Sequence, residues 1–243
     1  MKYIFLILII NFIYPQEKWK FKNFKTFYNF TNRPATISAE AEDECSNFFI
    51  CQNYEEFGFD NNETWDIVGD PTPDPDYTDI VLRGSQSLFI DAIEGYTTML
   101  DISPHDSIYF HFLFQFGKLP DSYANFNFAW GDGPGDILFI GIYSDGTLEI
   151  DNGSSYDESD IQLTPETLYH IWGFYKKGTG SNSIARIWIS TNNIRPESVE
   201  MEILDGDSVD PITNIEIGLD YDDIDAVYDQ VLYSENEFLF VPE

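Results

Sequence analysis

An all-β chain, folded as a sandwich or barrel, is what this sequence predicts, and three observations predict it. Apolar and polar residues alternate with period two through most of the chain after residue 45. Turn-forming clusters separate the alternating runs: GDGPGD at 131–136, SDGT at 144–147, KGTGSNS at 177–183 and DGDSVDP at 205–211. Helical periodicity is absent beyond the N-terminal segment, and many short strands at such spacing make a two-layer or closed all-β fold.

The elements follow in order. In DSIYFHFLFQFG (106–117), Ile108, Phe110, Phe112, Phe114 and Phe116 point one way, and Tyr109, His111, Leu113 and Gln115 the other. ANFNFAW (124–130) sets Phe126, Phe128 and Trp130 against Asn125 and Asn127. Further strands are DILFIGIY, TLEID, LYHIWGFY, SIARIWIS, SVEMEIL, TNIEIGLD and AVYDQVLY. His170, Trp172 and Phe174 share one face of their strand, and Arg186 shares a face with Trp188 on the next. Lys176 and Lys177 then belong to the solvated mouth of a hairpin.

Charge divides the chain. The sequence has 43 acidic and 12 basic residues in 243, a net charge of -31. Residues 1–36 hold six bases and only Glu17 as an acid, leaving 42 acids and 6 bases in 37–243. That surface repels phosphate backbones, so nucleic acid is excluded as a partner of the main body. It suits hydration at high ionic strength, divalent cations or basic partners. Disorder, the other reading of acidic chains, fails because 43% of residues are apolar and 17% aromatic.

Three regions result. Residues 1–16 carry one Lys and then a short apolar run before Pro15, the pattern of a signal peptide or hydrophobic anchor, and too short for a comfortable bilayer span. The expected location is therefore outside the cell or on its surface, with no stable membrane span after processing. Residues 17–44 are a lead segment, basic and aromatic to residue 36 and an acidic linker after it. The favoured expectation is a poorly ordered lead, with a strand that adds to a neighbour, a sticky tail or a linker as the forms it could take. Residues 45–243 form the β domain. Cys45 and Cys51 are the two cysteines and are expected to pair in an exported chain.

The segment LYHIWGFYKKGTGSNSIARIWIST (168–191) resembles the paired central strands of concanavalin A-like jelly rolls of the laminin-G type. SDGTLEI resembles their DG-L hairpin, RGSQSLFIDA their GS-SL strand, AVYDQVLYSE their closing YDxV strand, and NYEEFGFDN their opening. These matches span residues 52–236 in the expected order. The resemblance implies a two-sheet antiparallel jelly-roll β-sandwich. It also implies a structural Ca²⁺ held by Glu55 and Asp229, with Asp60 as an addition, main-chain carbonyls completing the oxygen shell.

If the mixed faces line one concave sheet, His170, Trp172, Arg186 and Trp188 form a polar-aromatic ligand surface, which Tyr109, His111, Gln115, Asn125 and Asn127 extend. Aromatic rings stack on sugar faces while Asn, Gln and Arg take hydroxyls. Catalytic signatures are sparse: HExxH, GxSxG and the phosphate loop are absent. EIDNG keeps Glu149 and Asp151 of a glucanase carboxylate motif but has Gly153 and Ser154 where a final Glu would fall. Tyr109, His111, His170 and Arg186 keep a polysaccharide lyase open. The expectation is a secreted, non-catalytic, calcium-stabilised module for carbohydrate binding or adhesion, with a glycan or glycoprotein as partner. The alternatives are a structural subunit of an extracellular or virion surface assembly, docked or self-assembled through 17–36, and a glycan hydrolase or lyase. Asn29, Asn62 and Asn152 begin glycosylation sequons.

Overall fold

The computed structural model describes residues 50–52, 65–68, 74–90, 96–99, 102–130, 136–153, 155–220 and 224–238. All of them lie in the compact unit Ala35–Glu243. The expectations for residues 1–44, including the signal segment, the lead segment and Cys45, lie outside the described residues, as do Glu55, Asp60 and the sequons at Asn29 and Asn62.

Among the described residues there are fifteen strands and no helix. They are β1 Ile50–Gln52, β2 Trp65–Val68, β3 Asp74–Tyr77, β4 Ser87–Ile90, β5 Tyr96–Met99, β6 Ser107–Phe116, β7 Tyr123–Trp130 and β8 Asp136–Tyr143. The remainder are β9 Thr147–Asn152, β10 Ser155–Gln162, β11 Tyr169–Lys176, β12 Ser183–Ser190, β13 Met201–Gly206, β14 Asn214–Asp220 and β15 Ala226–Ser234. The chain is all-β, as its period-two alternation predicts.

Two antiparallel sheets make the sandwich. The eight-stranded sheet runs β13-β12-β11-β6-β15-β4-β3, with β1 pairing β15 beyond β4. The seven-stranded sheet runs β10-β9-β8-β7-β14-β5-β2. Each strand turns alternate residues inward, so Phe110, Phe112, Phe114, Ile171 and Ile187 meet Ile140, Ile142, Ile150 and Ile217 in one core. Phe110 packs so closely over β11 that a Cβ on Gly173 would come within 1.9 Å of its ring.

At one side of the sandwich the edge strands of the two sheets meet. Asp157 Oδ2 on β10 accepts the Glu202 backbone N–H of β13 (2.7 Å), and Glu200 Oε1 accepts that of Ile161 (3.0 Å). Side-chain carboxylates thus occupy edge donors that would otherwise template another chain. The β11–β12 hairpin is closed by Asn182 Oδ1 on the Thr179 N–H (2.8 Å). Lys176 is exposed and Lys177 pairs with Asp106 (2.6 Å), so these lysines do solvate the hairpin mouth.

Candidate functional site: an arginine and aromatic face

Core packing of β6, β11 and β12 fixes what their other face displays. Strand register arranges that face in three rows. One row runs Glu202, Arg186, Phe174, Tyr109, Ser234. The second runs Trp188, Trp172, His111, Leu232, and the third Ser190, His170, Leu113, Asp229. Strand register puts His170, Trp172, Arg186 and Trp188 on one sheet face, and of the residues expected to extend them Tyr109, His111 and Gln115 lie on the same face.

Asn125 and Asn127 do not extend it. They sit on β7, in the seven-stranded sheet, because β7 pairs with β8 and β14 rather than with β6. Alternation alone assigns a residue to a face of its strand, never to one of two sheets.

The centre of the face is closed. Trp172, Phe174, Trp188 and Leu232 form an apolar cluster, backed by Tyr109, Ile184, Val199 and Phe238. Trp172 is 1% exposed and Trp188 6%, so the tryptophans are floor here rather than open stacking plates. Arg195, from the loop after β12, lays its guanidinium 4.4 Å from the Trp188 ring centroid. Tyr109, Arg186 and Glu202 reach solvent around this floor.

Two buried histidines form a relay of hydrogen bonds. His111 Nδ1 faces the Gln230 carbonyl (3.2 Å), so Nδ1 carries the proton and donates. His111 Nε2 is then an acceptor, and His170 Nδ1–H donates to it across 3.0 Å. Burial, joined for His111 by its neighbour His170, drives the pKa of His111 well below its ordinary value. Burial and then the Arg83 charge bring His170 down to about 4. Both rings are neutral at pH 7, and His170 stacks on Trp172 at 5.3 Å.

The Gln230 carbonyl reaches His111 because β15 bulges there, with Gln230 at φ 46°. A non-glycine residue in the left-handed region costs about 1 kcal/mol or more. Asp229 beside it is 1% exposed and accepts from Ser87 Oγ (2.8 Å), the Arg83 N–H (2.9 Å) and the Gln230 N–H (2.7 Å). Burial pushes its carboxyl up to about 7, against the pull of those donors and of Arg83. Both oxygens thus accept hydrogen bonds from protein donors, and Glu55 and Asp60, the other residues of the expected calcium set, lie outside the described residues. Among the described residues no group of three His, Cys, Asp or Glu stands ready to hold a metal.

The opposite face of the sandwich has another character. Glu149 accepts from Tyr123 (3.0 Å) and from Tyr143 (2.5 Å), one phenol on each oxygen. Tyr123 reaches it by lying across β8 at Gly141, where a Cβ would stand 2.2 Å from the phenol oxygen. Burial and Glu149 raise the Tyr123 pKa, and the hydrogen bond to Glu149 leads the rise at Tyr143. Glu149 is therefore a carboxylate held by two phenols, not a member of a three-carboxylate strand motif.

The sequence reading missed Arg195, Arg83, Glu237 and Phe238. The available signal was scarcity: Arg83, Arg186 and Arg195 are the only arginines after residue 36. No family model matches this chain, and no curated protein matches it in sequence. Solved structures are similar in fold. An endo-β-1,4-glucuronan lyase from the fungus Trichoderma reesei aligns with TM-score 0.57 at 10% identity, covering 78% of this chain and 96% of that one. An alginate lyase aligns with TM-score 0.54 at 12% identity, covering 78% and 97%. A sialidase aligns with TM-score 0.52 at 11% identity over 79% of this chain, which spans only 19% of that protein. At these identities the likeness is one of fold, and it fits the concanavalin A-like sandwich that the strand motifs imply.

Proposed function

We propose that this protein takes an acidic polysaccharide along the outer face of β6, β11 and β12 and cleaves it by elimination. One observation carries the reading. In a body of 42 acids and 6 bases, two of the three arginines, Arg186 and Arg195, bear on Tyr109, and Arg195 lies over Trp188. The third, Arg83, bears on the buried His111–His170 pair of the same face. Such a concentration of scarce cations is an electrostatic site for a carboxylate-bearing ligand. The glucuronan lyase and the alginate lyase share the fold and act on polyuronates, which supports the same direction.

The chemistry requires a cation on the uronate carboxylate, which acidifies the carbon-bound proton beside it. A base removes that proton, the carbon–oxygen bond to the leaving sugar breaks, a carbon–carbon double bond forms, and the leaving oxygen takes a proton. An arginine of this face is the neutraliser. Tyr109, which reaches solvent on this face, is the proton carrier. Its pKa is raised, burial first and then Glu237 outweighing the pull of Arg195 and Arg186, so at rest the phenol holds its proton. His111 and His170 are buried, neutral and committed to each other, so they are positioning residues that brace Trp172.

The test is ultraviolet detection of unsaturated ends from glucuronan and alginate, with Tyr109→Phe and Arg186→Ala beside the wild type. Product formation lost by about 100-fold or more in Tyr109→Phe supports the reading. Binding without product reduces it to a carbohydrate-binding module. Neither binding nor product sinks it.

A further inference from the structure

The segment that follows β15 folds back on the arginine face. Asn236 donates its backbone N–H to Ser234 Oγ (3.0 Å), and Glu235 meets His105 Nδ1 (3.0 Å). Glu237 then accepts from Arg195 Nη2, and Phe238 packs on the cluster of Trp172 and Trp188. Four consecutive residues form a strap with a carboxylate at its contact point.

Arg195 beneath it is an unusual cation. Its side chain is 10% exposed, it rests on the Trp188 ring, and its buried Nε has no hydrogen-bond partner among the described residues. A guanidinium offers its donors in a rigid fork and takes a carboxylate with two parallel bonds. Glu237 uses only Nη2, so the edge made by Nε and Nη2 is half filled.

Arg186 differs. It is paired through Nε with Glu202, which stands directly opposite in register on β13. Glu237 instead is 54% exposed and lies on a strap outside the sheet. With the carboxylate side of the pair open to solvent, an incoming carboxylate reaches the guanidinium as Glu237 leaves, and the nearly buried cation stays paired throughout the exchange.

Resting on the acidic-glycan reading above, we infer that Arg195 on Trp188 is the docking residue for a sugar carboxylate, and that Glu237 is the chain's own stand-in, which the ligand displaces. The strap Glu235–Phe238 then sets how tightly the face binds, and a uronate fills both donors of the fork.

The test is isothermal titration of the full chain with a glucuronate trisaccharide and with its carboxyl-reduced counterpart, in wild type, Glu237→Gln and Arg195→Lys. Glu237→Gln is expected to tighten the acidic trisaccharide by about tenfold, the scale of one charge-assisted hydrogen bond, and to leave the reduced one unchanged. Arg195→Lys keeps the charge but loses the fork, and is expected to weaken the acidic trisaccharide by a similar factor. Equal affinity of wild type and Glu237→Gln for the acidic trisaccharide overturns the stand-in role while the acidic-glycan reading stands. Tightening of both trisaccharides alike shows steric relief and overturns carboxylate mimicry. Absence of heat with either sugar in every variant overturns the acidic-glycan reading, and this inference with it.

Discussion

Asp229 and the histidine pair occupy one buried layer and answer pH in opposite directions. Asp229 holds its proton more tightly folded, at about 7, than at its ordinary 3.8. Its favourable contribution is therefore complete below about 3.8 and lost as pH rises through 7. His170 is depressed from 6.5 to about 4, so its contribution is complete above 6.5 and lost as pH falls toward 4. Replacing Asp229 by Asn removes the first response and leaves the second. Relative to wild type, Asp229→Asn should lose about 1.4 kcal/mol of stability for each pH unit between pH 7 and 5. Urea denaturation at three pH values measures this; a constant difference between variant and wild type would show that Asp229 is ionised throughout. Sequence flagged Asp229 through a strand motif and ascribed to it a metal. What it could not supply was the neighbourhood, since Ser87 and Arg83 lie more than 140 positions away.

At the scale of elements, the alternation of β6, β11 and β12 was legible because a half-buried strand must repeat every second residue. Face membership of Arg186 with Trp188, and of His170 with Trp172, follows from it. Sheet membership does not follow, which is why Asn125 and Asn127 were placed with the wrong sheet. The sequon at Asn152 shows another limit: it reads as a surface signal, yet Asn152 ends β9 with 0% exposure and is shut to modification in the folded chain. The β7–β8–β9 face gives a test of local design. Gly141 is the gap through which Tyr123 reaches Glu149. Gly141→Ala should push the Tyr123 ring aside, cost about 1–3 kcal/mol and lower the Tyr123 pKa as its carboxylate partner is lost. Spectrophotometric titration beside denaturation measures both, and an alanine variant with unchanged stability and phenol titration would show that the ring does not depend on the gap.

Across the whole molecule, the two outer faces of the sandwich carry opposite chemistry. One bears arginines over buried tryptophans, and the other a carboxylate between phenols. Composition announced the acidic field, but a net charge is a sum and hides a face where three scarce arginines bear on one set of strands. That field has a kinetic consequence. At low salt a net charge of -31 repels an oligouronate at long range, while Arg186 and Arg195 attract it only at short range. The Debye length shortens to about 10 Å at about 0.1 M salt, so added salt screens the distant repulsion before it weakens a contact at a few ångströms. The association rate constant with a glucuronate oligomer should therefore rise as ionic strength goes from about 0.01 M to about 0.1 M, the reverse of binding to an evenly basic surface. Stopped-flow mixing across that range measures it. A rate that falls from the lowest salt upward would mean that the arginine face governs the approach from afar, and that the acidic body is electrostatically silent toward the ligand.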